Sequence, residues 1–429
     1  MEALEASEIY LKTPRVKPHL GLTRISALLD ALGHPEEGLA CIHIAGTNGK
    51  GSTAVFLERI LLEAGYRVGR YNSPELITVN ERILFGGEPI SDGELSALFA
   101  SLEEPVRSAE AVCREKISPF EMWTAAAFRY FREKQCDYVV LETGMGGADD
   151  ATNVLVSPVL TILTRISLDH TAYLGRDLTD IARVKAGIIK AGCVTRTVLS
   201  APQVPEVEAI IREEAEKRGN TVTFIDPPPP KKHYGMHEVL FYPGYGDIRV
   251  GLPGVYQIEN AYLALTAAKI LGIAIFPAQC GITFAHHPAR MEILRENPLL
   301  LFDGGHNPGG IGALMASLDR YLGKETARTV IYAAMADKDS SACLARLAAS
   351  PTKFLFTEVS DNPRALPSGE LLRRAEEQGI RGEGYPTLRD ALARAEEIGL
   401  PTIVCGSLYL YQDLPASYRA RTVRKGDKP

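Results

Sequence analysis

The stretch Gly46–Ser52, GTNGKGS, sets three glycines, one lysine and two hydroxyls on a short turn, a group of residues suited to holding phosphates. Glycines let backbone N–H groups turn inward, and a helix starting directly after the turn brings its positive dipole end to the same spot. Lys50 adds a full charge for β- and γ-phosphates. The spelling departs from the common phosphate loop G-x-x-x-x-G-K-[ST], because Gly51 stands between Lys50 and Ser52. A plain glycine-rich turn and a nucleotide site of another kind both fit it, and the strand before and long helix after favour the nucleotide. Other reactive groups close other apolar runs: Ser73 follows RVGRYN, Glu142 follows YVVL, and Asp169 and His170 follow LTILTRIS.

In an open α/β sheet the ligand lies beyond the carboxyl ends of the strands, so these groups belong at one edge. Glu142 alone reads as a capped strand end, and His170 alone as a hydrogen-bonded core histidine. Placed together beside a phosphate loop, they read as ligands of a hard cation. Oxygen donors with one imidazole suit magnesium or manganese better than structural zinc. TGMGGADD imitates a dinucleotide fingerprint, but Gly144, Gly146 and Gly147 do not give G-x-G-x-x-G and no helical pattern follows at once. A nicotinamide or flavin enzyme is therefore not expected.

Bringing strand ends together requires a sheet. Short apolar runs alternate with amphipathic helical stretches along most of the chain, the pattern of a parallel sheet with helices on its faces. ACIHIAG, RVGRYNSP, DYVVLETG and PVLTILTRISLDH read as strands. STAVFLERILLEAG, SPFEMWTAAAFRYFREK (opened by Ser118, with Pro119 first) and DLTDIARVKAGIIKAG read as helices. From Thr221 the runs TVTFID, EVLFYPG and DIRVGLPG look like an antiparallel addition, with PPPPKK as an exposed connector and YQIENAYLALTAAKILG as the next helix. The polar, poorly periodic HHPARMEILRENP marks a domain boundary, giving domains 1–288 and 289–429. Beyond it LLLFDGG, RTVIYAA, KFLFTEV and TIVCGS are four more strands of a second, smaller α/β unit.

Bulk properties limit the partners. Lysine plus arginine number 47 against 53 acids, a net charge of −6, which argues against nucleic acid while leaving room for a local basic pocket. Seven cysteines without a C-x-x-C pair argue against a disulfide framework or zinc and fit a reducing compartment. MEALEASEIY lacks the apolar core of a signal peptide, and no apolar run approaches the ~20 residues of a membrane span. The expectation is a cytoplasmic protein acting on small molecules.

HIAGTNGKGS resembles the phosphate loop of the Mur ligase superfamily, which puts a small residue between lysine and hydroxyl. SPELITVNERI, FEMWTAAAF, LETGMGGADDATN, DHTAYLG, KAGIIK, LPGVYQIENA, FDGGHNP, MADKD and GSLYL are similar to the blocks of its folate branch, the dihydrofolate synthase/folylpolyglutamate synthase family. They stand in family order over nearly the whole chain. The resemblance implies an ATP-binding first domain with a mostly parallel, phosphate-loop-type sheet, and a smaller Rossmann-like second domain. It implies a ligase in which ATP phosphorylates a carboxylate of dihydropteroate or a folate, after which the amine of L-glutamate attacks the acyl phosphate. A cell-wall precursor as the carboxylate, or an inactive nucleotide-binding scaffold, are the alternatives; the folate-type blocks oppose the first and intact Lys50, Glu142, His170 and Lys185 oppose the second.

Carried over by position, the resemblance implies that Gly46, Thr47, Asn48, Gly49, Lys50, Gly51 and Ser52 cradle ATP, with Asn260, Arg290, Asp303 and His306 as further nucleotide contacts. Ser73 and Glu142 would hold the magnesium shared with ATP. His170 and Lys185, the latter as a carbamate, would hold a second. By its own sequence context Lys185 is an exposed helix lysine. Phe120 and Ser407 fall in blocks assigned to substrate, and the family suggests a monomer. The chain departs from the family at Glu75, where histidine is usual, and at Val184, where glutamate is usual; DGGHNP for DGAHNP is minor. Glu75 lies two residues beyond Ser73, so in an extended segment it points to the same side; its carboxylate either adds an oxygen ligand to the metal or, the favoured expectation, sits near the pterin end of the substrate.

Overall fold

The structure, a computed structural model, describes residues 21–419; the N-terminal stretch read above for a secretion signal lies outside the described residues. The chain divides into two compact units. The first takes in the described chain to Pro228 together with Phe241–Ile248 and Glu259–Ala285. The second takes Pro229–Leu240, Arg249–Ile258 and the chain from His286.

In the first unit the strands are β1 (Cys41–Ala45), β2 (Val68–Tyr71), β3 (Ile83–Phe85), β4 (Glu88–Pro89), β5 (Tyr138–Glu142), β6 (Leu160–Leu163), β7 (Thr197–Ser200) and β8 (Thr221–Phe224). They form one sheet in the order β4-β3-β2-β5-β1-β6-β7-β8. Every pair from β2 to β8 is parallel, and β3 and β4 turn back antiparallel at one edge. Central strands of such a sheet are covered on both faces, which is why β1 and β6 are buried at every position and read as apolar runs broken only by His43 and Thr161. A three-stranded sheet follows, with order β11-β10-β9, from β9 (His233–Tyr234), β10 (His237–Tyr242) and β11 (Gly246–Arg249).

The second unit builds a six-stranded sheet from β12 (Glu292–Glu296), β13 (Leu299–Phe302), β14 (Arg328–Tyr332), β15 (Thr352–Phe356), β16 (Gly382–Gly384) and β17 (Thr402–Cys405). Its order is β12-β13-β17-β14-β15-β16, parallel except for β12. The helices that matter for the site are α1 (Thr23–Leu32), α2 (Lys50–Glu63), α3 (Pro119–Glu133), α4 (Leu178–Ala186), α5 (Gln257–Ile270) and α6 (Pro308–Leu322). The start of α3 is as read: Ser118 caps it and Glu121 returns a bond to the Ser118 amide at 2.7 Å, a reciprocal box with proline in the first turn.

Three expectations are corrected. TVTFID is not antiparallel: β8 lies parallel to β7, because the helix Pro205–Lys217 between them acts as a crossover that returns the chain in the same direction. MEILRENP is not a featureless boundary; it contains β12, which pairs antiparallel with β13 across the turn at Asn297–Pro298. The helix expected over DLTDIARVKAGIIKAG ends at Ala186, just before Gly187. Pro229–Leu240 belongs to the second unit for a physical reason: fully buried Glu238 accepts hydrogen bonds from Arg320 Nη2 at 3.0 Å and the Tyr321 hydroxyl at 2.9 Å, both on α6.

Candidate active site

The turn after β1 brings its backbone close against neighbouring side chains. Gly46 and Gly49 have φ of 151° and 97°. A Cβ on Gly46 would stand 1.9 Å from Thr164 Oγ1, and one on Gly49 would stand 2.4 Å from Asn260 Oδ1. Only glycine fits either position. The Thr47 and Asn48 amides donate to the Arg165 carbonyl at 2.9 and 3.3 Å, and Thr47 Oγ1 donates to the Ser167 carbonyl at 2.9 Å. The turn is thus stitched to the segment leading from β6 to Asp169 and His170. With those two amides engaged, the donors aimed past the turn are those of the first turn of α2, which starts at Lys50 and which the helix itself leaves unused.

Lys50 Nζ lies 3.7 Å from Glu142 Oε1 and donates to the Thr47 carbonyl at 3.4 Å. Glu142, the last residue of β5, is buried, as is Ser52. Ser73 follows β2, the strand next to β5, and is half-buried. His170 adopts a left-handed backbone with φ 51°, and Asp169 Oδ1 accepts its amide at 2.8 Å while lying 3.9 Å from its Nε2. The reading of Lys185 as an exposed helix lysine is overturned. Lys185 is only 4% exposed, and its Nζ donates to the Gly46 carbonyl at 2.8 Å. The last turn of α4 faces inward at the phosphate loop, and a side chain there must be long and polar to reach it.

The TGMGGADD loop holds that turn in place. The Ala148 amide donates to the Val184 carbonyl at 2.8 Å, and a Cβ on Gly147 would stand 2.7 Å from that same oxygen. Asp150, fully buried, accepts from the Met145 amide at 2.8 Å and from Thr152 Oγ1 at 2.6 Å; burial raises its pKa above the ordinary carboxylate value. Thr152 also meets His43 Nε2 at 2.9 Å. These glycines therefore allow close helix contact.

Phe120 opens α3 and lies over Gly144, where a Cβ would stand 2.4 Å from the ring; its other neighbour is Tyr71, with ring centroids 6.1 Å apart. Glu75 pairs with Arg82, its Oε2 lying 2.7 Å from Nε and from Nη2.

In the second unit, Arg290, Asp303, His306 and Ser407 gather at the carboxyl ends of the neighbouring strands β13 and β17. Asp303 accepts from the Gly305 amide at 2.8 Å, the Met291 amide at 2.9 Å and the Tyr256 hydroxyl at 2.9 Å. Burial raises its pKa, with Arg290 opposing, and burial raises that of Tyr256 well above the ordinary phenol value. A Cβ on Gly304 would stand 2.4 Å from Arg290 Nη1, so the guanidinium lies on that glycine. His306 Nδ1 meets the Gly304 carbonyl at 2.9 Å, which fixes the proton on Nδ1. The Gly406 amide donates to the Gly305 carbonyl at 2.9 Å, and Ser407 follows with its hydroxyl buried and without a hydrogen-bond partner among the described residues.

Sequence reasoning missed Arg165, Asp150 and Tyr256. The contacts of Arg165 and Tyr256 link positions far apart in the chain, whereas Asp150 bonds locally to Met145 and Thr152, and its D-A-T order, typical of a side chain closing its own turn, was readable in the sequence.

The donors suit magnesium rather than a metal held by protein alone. Among the described residues no three His, Cys, Asp or Glu side chains converge, so an ion here would be completed by phosphate oxygens and water, as magnesium prefers. Lys185 as an ammonium has only donors to offer. It could join such a site only as a carbamate.

A family model described as the Mur ligase middle domain matches residues 44–268, and one described as the Mur ligase glutamate ligase domain matches residues 289–405. The dihydrofolate synthase/folylpolyglutamate synthase of Bacillus subtilis is 36% identical, over 93% of this chain and 94% of that protein. A folylpolyglutamate synthase of Mycobacterium tuberculosis solved with ADP and AMPPCP superposes with a TM-score of 0.87 at 30% identity, covering 99% of this chain and 98% of that one. A folylpolyglutamate synthase complex with AMPPCP and folate gives 0.83 at 31% identity, covering 98% and 99%. Among the described residues no helix is long and apolar enough to cross a membrane.

Proposed function

Because the chain belongs to the Mur ligase family, in its folylpolyglutamate synthase/dihydrofolate synthase branch, we propose that Lys50, Glu142, His170 and Lys185 form the reaction centre of an ATP-dependent ligation of L-glutamate to a folate. ATP is bound, and a folate-type carboxylate and glutamate are joined as an amide. The observation that carries the assignment of residues is the Lys50–Glu142 pair at 3.7 Å beside a buried Lys185 bonded to the loop carbonyl of Gly46.

Phosphoryl transfer asks a protein for positioning and charge neutralisation. Residues Gly46–Ser52 hold the phosphates, Lys50 neutralises the β- and γ-oxygens, and the N-terminus of α2 adds its dipole. Ser73 and Glu142 would hold one magnesium, and His170 with Lys185 as a carbamate a second; such metal would offset charge on the transferring phosphoryl group. Asn260, pressed against Gly49, and Arg290, Asp303 and His306 complete the nucleotide contacts. Phe120 and Glu75 belong to the pterin side, and Ser407 to substrate. Residues 1–288 carry the ATP role and 289–429 the glutamate role. A cytoplasmic monomer without a nucleic-acid partner completes the reading, supported on the last point by the net charge of −6.

The test is ADP release with ATP, magnesium and glutamate, supplied with dihydropteroate, tetrahydrofolate or neither. Release should need the acceptor, and Lys50→Ala should abolish it while preserving the thermal transition. Equal ADP release with no acceptor would make the protein a plain ATPase. Near wild-type turnover of the variant at saturating ATP would remove Lys50 from the reaction.

A further inference from the structure

Between β2 and β3 the chain makes an eleven-residue excursion, from Asn72 to Arg82, whose two ends are joined by the Asn72 amide donating to the Arg82 carbonyl at 3.2 Å. At its near end Asn72 Oδ1 accepts from Arg70 Nη1 at 2.9 Å and Asn72 Nδ2 donates to the Glu81 carbonyl at 3.0 Å, which fixes the neighbourhood of Ser73. Within it, Glu81 accepts the amides of Leu76 and Thr78 at 2.7 and 3.1 Å. Asn80 Nδ2 donates to the Ile90 carbonyl at 2.8 Å and to Asp92 Oδ1 at 2.9 Å, and Glu75 pairs with Arg82 at 2.7 Å, with side-chain exposures of 17% and 9%. Arg82 in turn places its guanidinium over the ring of Trp123 on α3, 5.4 Å from the centroid. Trp123 lies one turn beyond Phe120 on the same helix, and Phe120 meets Tyr71, the last residue of β2.

We propose that Glu75 is a positioning residue: it holds Arg82 on Trp123, and so fixes the excursion against the helix that presents Phe120 to the pteroyl part of the substrate. The carboxylate acts through Arg82 and does not touch the reacting atoms. The chemistry favours a fixed pair over a ligand role. A guanidinium this buried needs an anion, and a carboxylate facing two of its nitrogens is a strong, directional partner. Asn72 is held by Arg70 and by the backbone carbonyls of Glu81 and Arg82, bonds that do not use the Glu75 side chain, so loss of the Glu75 tie should loosen the acceptor side and leave the nucleotide side in place. The inference rests on the folate-ligase reading, and one of its readouts does not depend on catalysis.

Trp123 is the only tryptophan of the chain, so its emission reports directly on Arg82. Glu75→Gln and Glu75→Ala should each change Trp123 emission in the unliganded protein. They should raise KM for dihydropteroate or folate by about tenfold, equivalent to ~1.4 kcal/mol, with KM for ATP changed less than about twofold. The double variant Glu75→Arg/Arg82→Glu should recover part of the loss shown by Arg82→Glu alone. Unchanged emission with unchanged acceptor KM, or an ATP KM that rises as much as the acceptor KM, would overturn the proposal; the second result would assign Glu75 to the metal. Wild-type protein that releases no ADP with any acceptor would instead strike the folate reading, and the emission change would still decide the Glu75–Arg82 tie.

Discussion

Lys185 holds its hydrogen bond to the Gly46 carbonyl from the last turn of α4, with 4% of its surface exposed. A lysine captures carbon dioxide through the neutral amine. Capture forms an N–C bond from Nζ to carbon dioxide and releases one proton to solvent, so a group with only donors becomes one whose carboxylate oxygens reach beyond Nζ and can bind a cation. Lys185→Ala should therefore cost activity by about a hundredfold or more, on the scale of lost metal-site residues. Part should return with a small added carboxylate such as formate or acetate. Activity assays with and without the additive check this, and a variant retaining full activity would exclude Lys185 from the site.

The phosphate loop is better understood as one element of a pair. Its glycines lie against Thr164 and Asn260, and its amides and the Thr47 hydroxyl reach Arg165 and Ser167. The carboxyl ends of β1 and β6 thus form one rigid body, to which Glu259 of α5 adds a pair with Arg165, 3.2 Å at Nε. Gly46→Ala combines φ 151° with a Cβ 1.9 Å from Thr164 Oγ1. Strain of this kind costs about 1–3 kcal/mol, so the variant should bind ATP at least about tenfold more weakly and melt earlier. Calorimetric titration with a non-hydrolysable ATP analogue, beside a thermal scan, measures both. Normal nucleotide affinity would mean that the turn does not need this close approach.

On the scale of the whole molecule, His43 makes the first unit acid-sensitive. It is fully buried in β1, and burial first, then the nearby Lys190 charge, lowers its pKa from 6.5 to about 3. The unfolded chain takes up this proton below pH 6.5 while the folded one does not, so stability present above 6.5 is lost as pH falls from 6.5 toward 3. The slope is at most about 1.4 kcal/mol per pH unit. His43→Gln should flatten that acid limb in denaturant titrations between neutral pH and about pH 5; an identical slope would place the sensitivity elsewhere.

The chain by itself determined the strands that are buried on both faces, since β1, β5, β6, β13, β14 and β17 are apolar runs whatever surrounds them. It also determined the glycine turn after β1 and the capped start of α3, because glycine placement and a Ser-Pro-x-Glu box act within a few residues. Only the tertiary structure decided that β8 is parallel, that β12 exists, that Lys185 points inward and that Glu75 is taken by Arg82. Each of these turns on a partner distant in sequence or on a chain reversal. Short edge strands and single polar side chains carry no periodic signal, and their place is settled by whichever neighbour satisfies their hydrogen bonds.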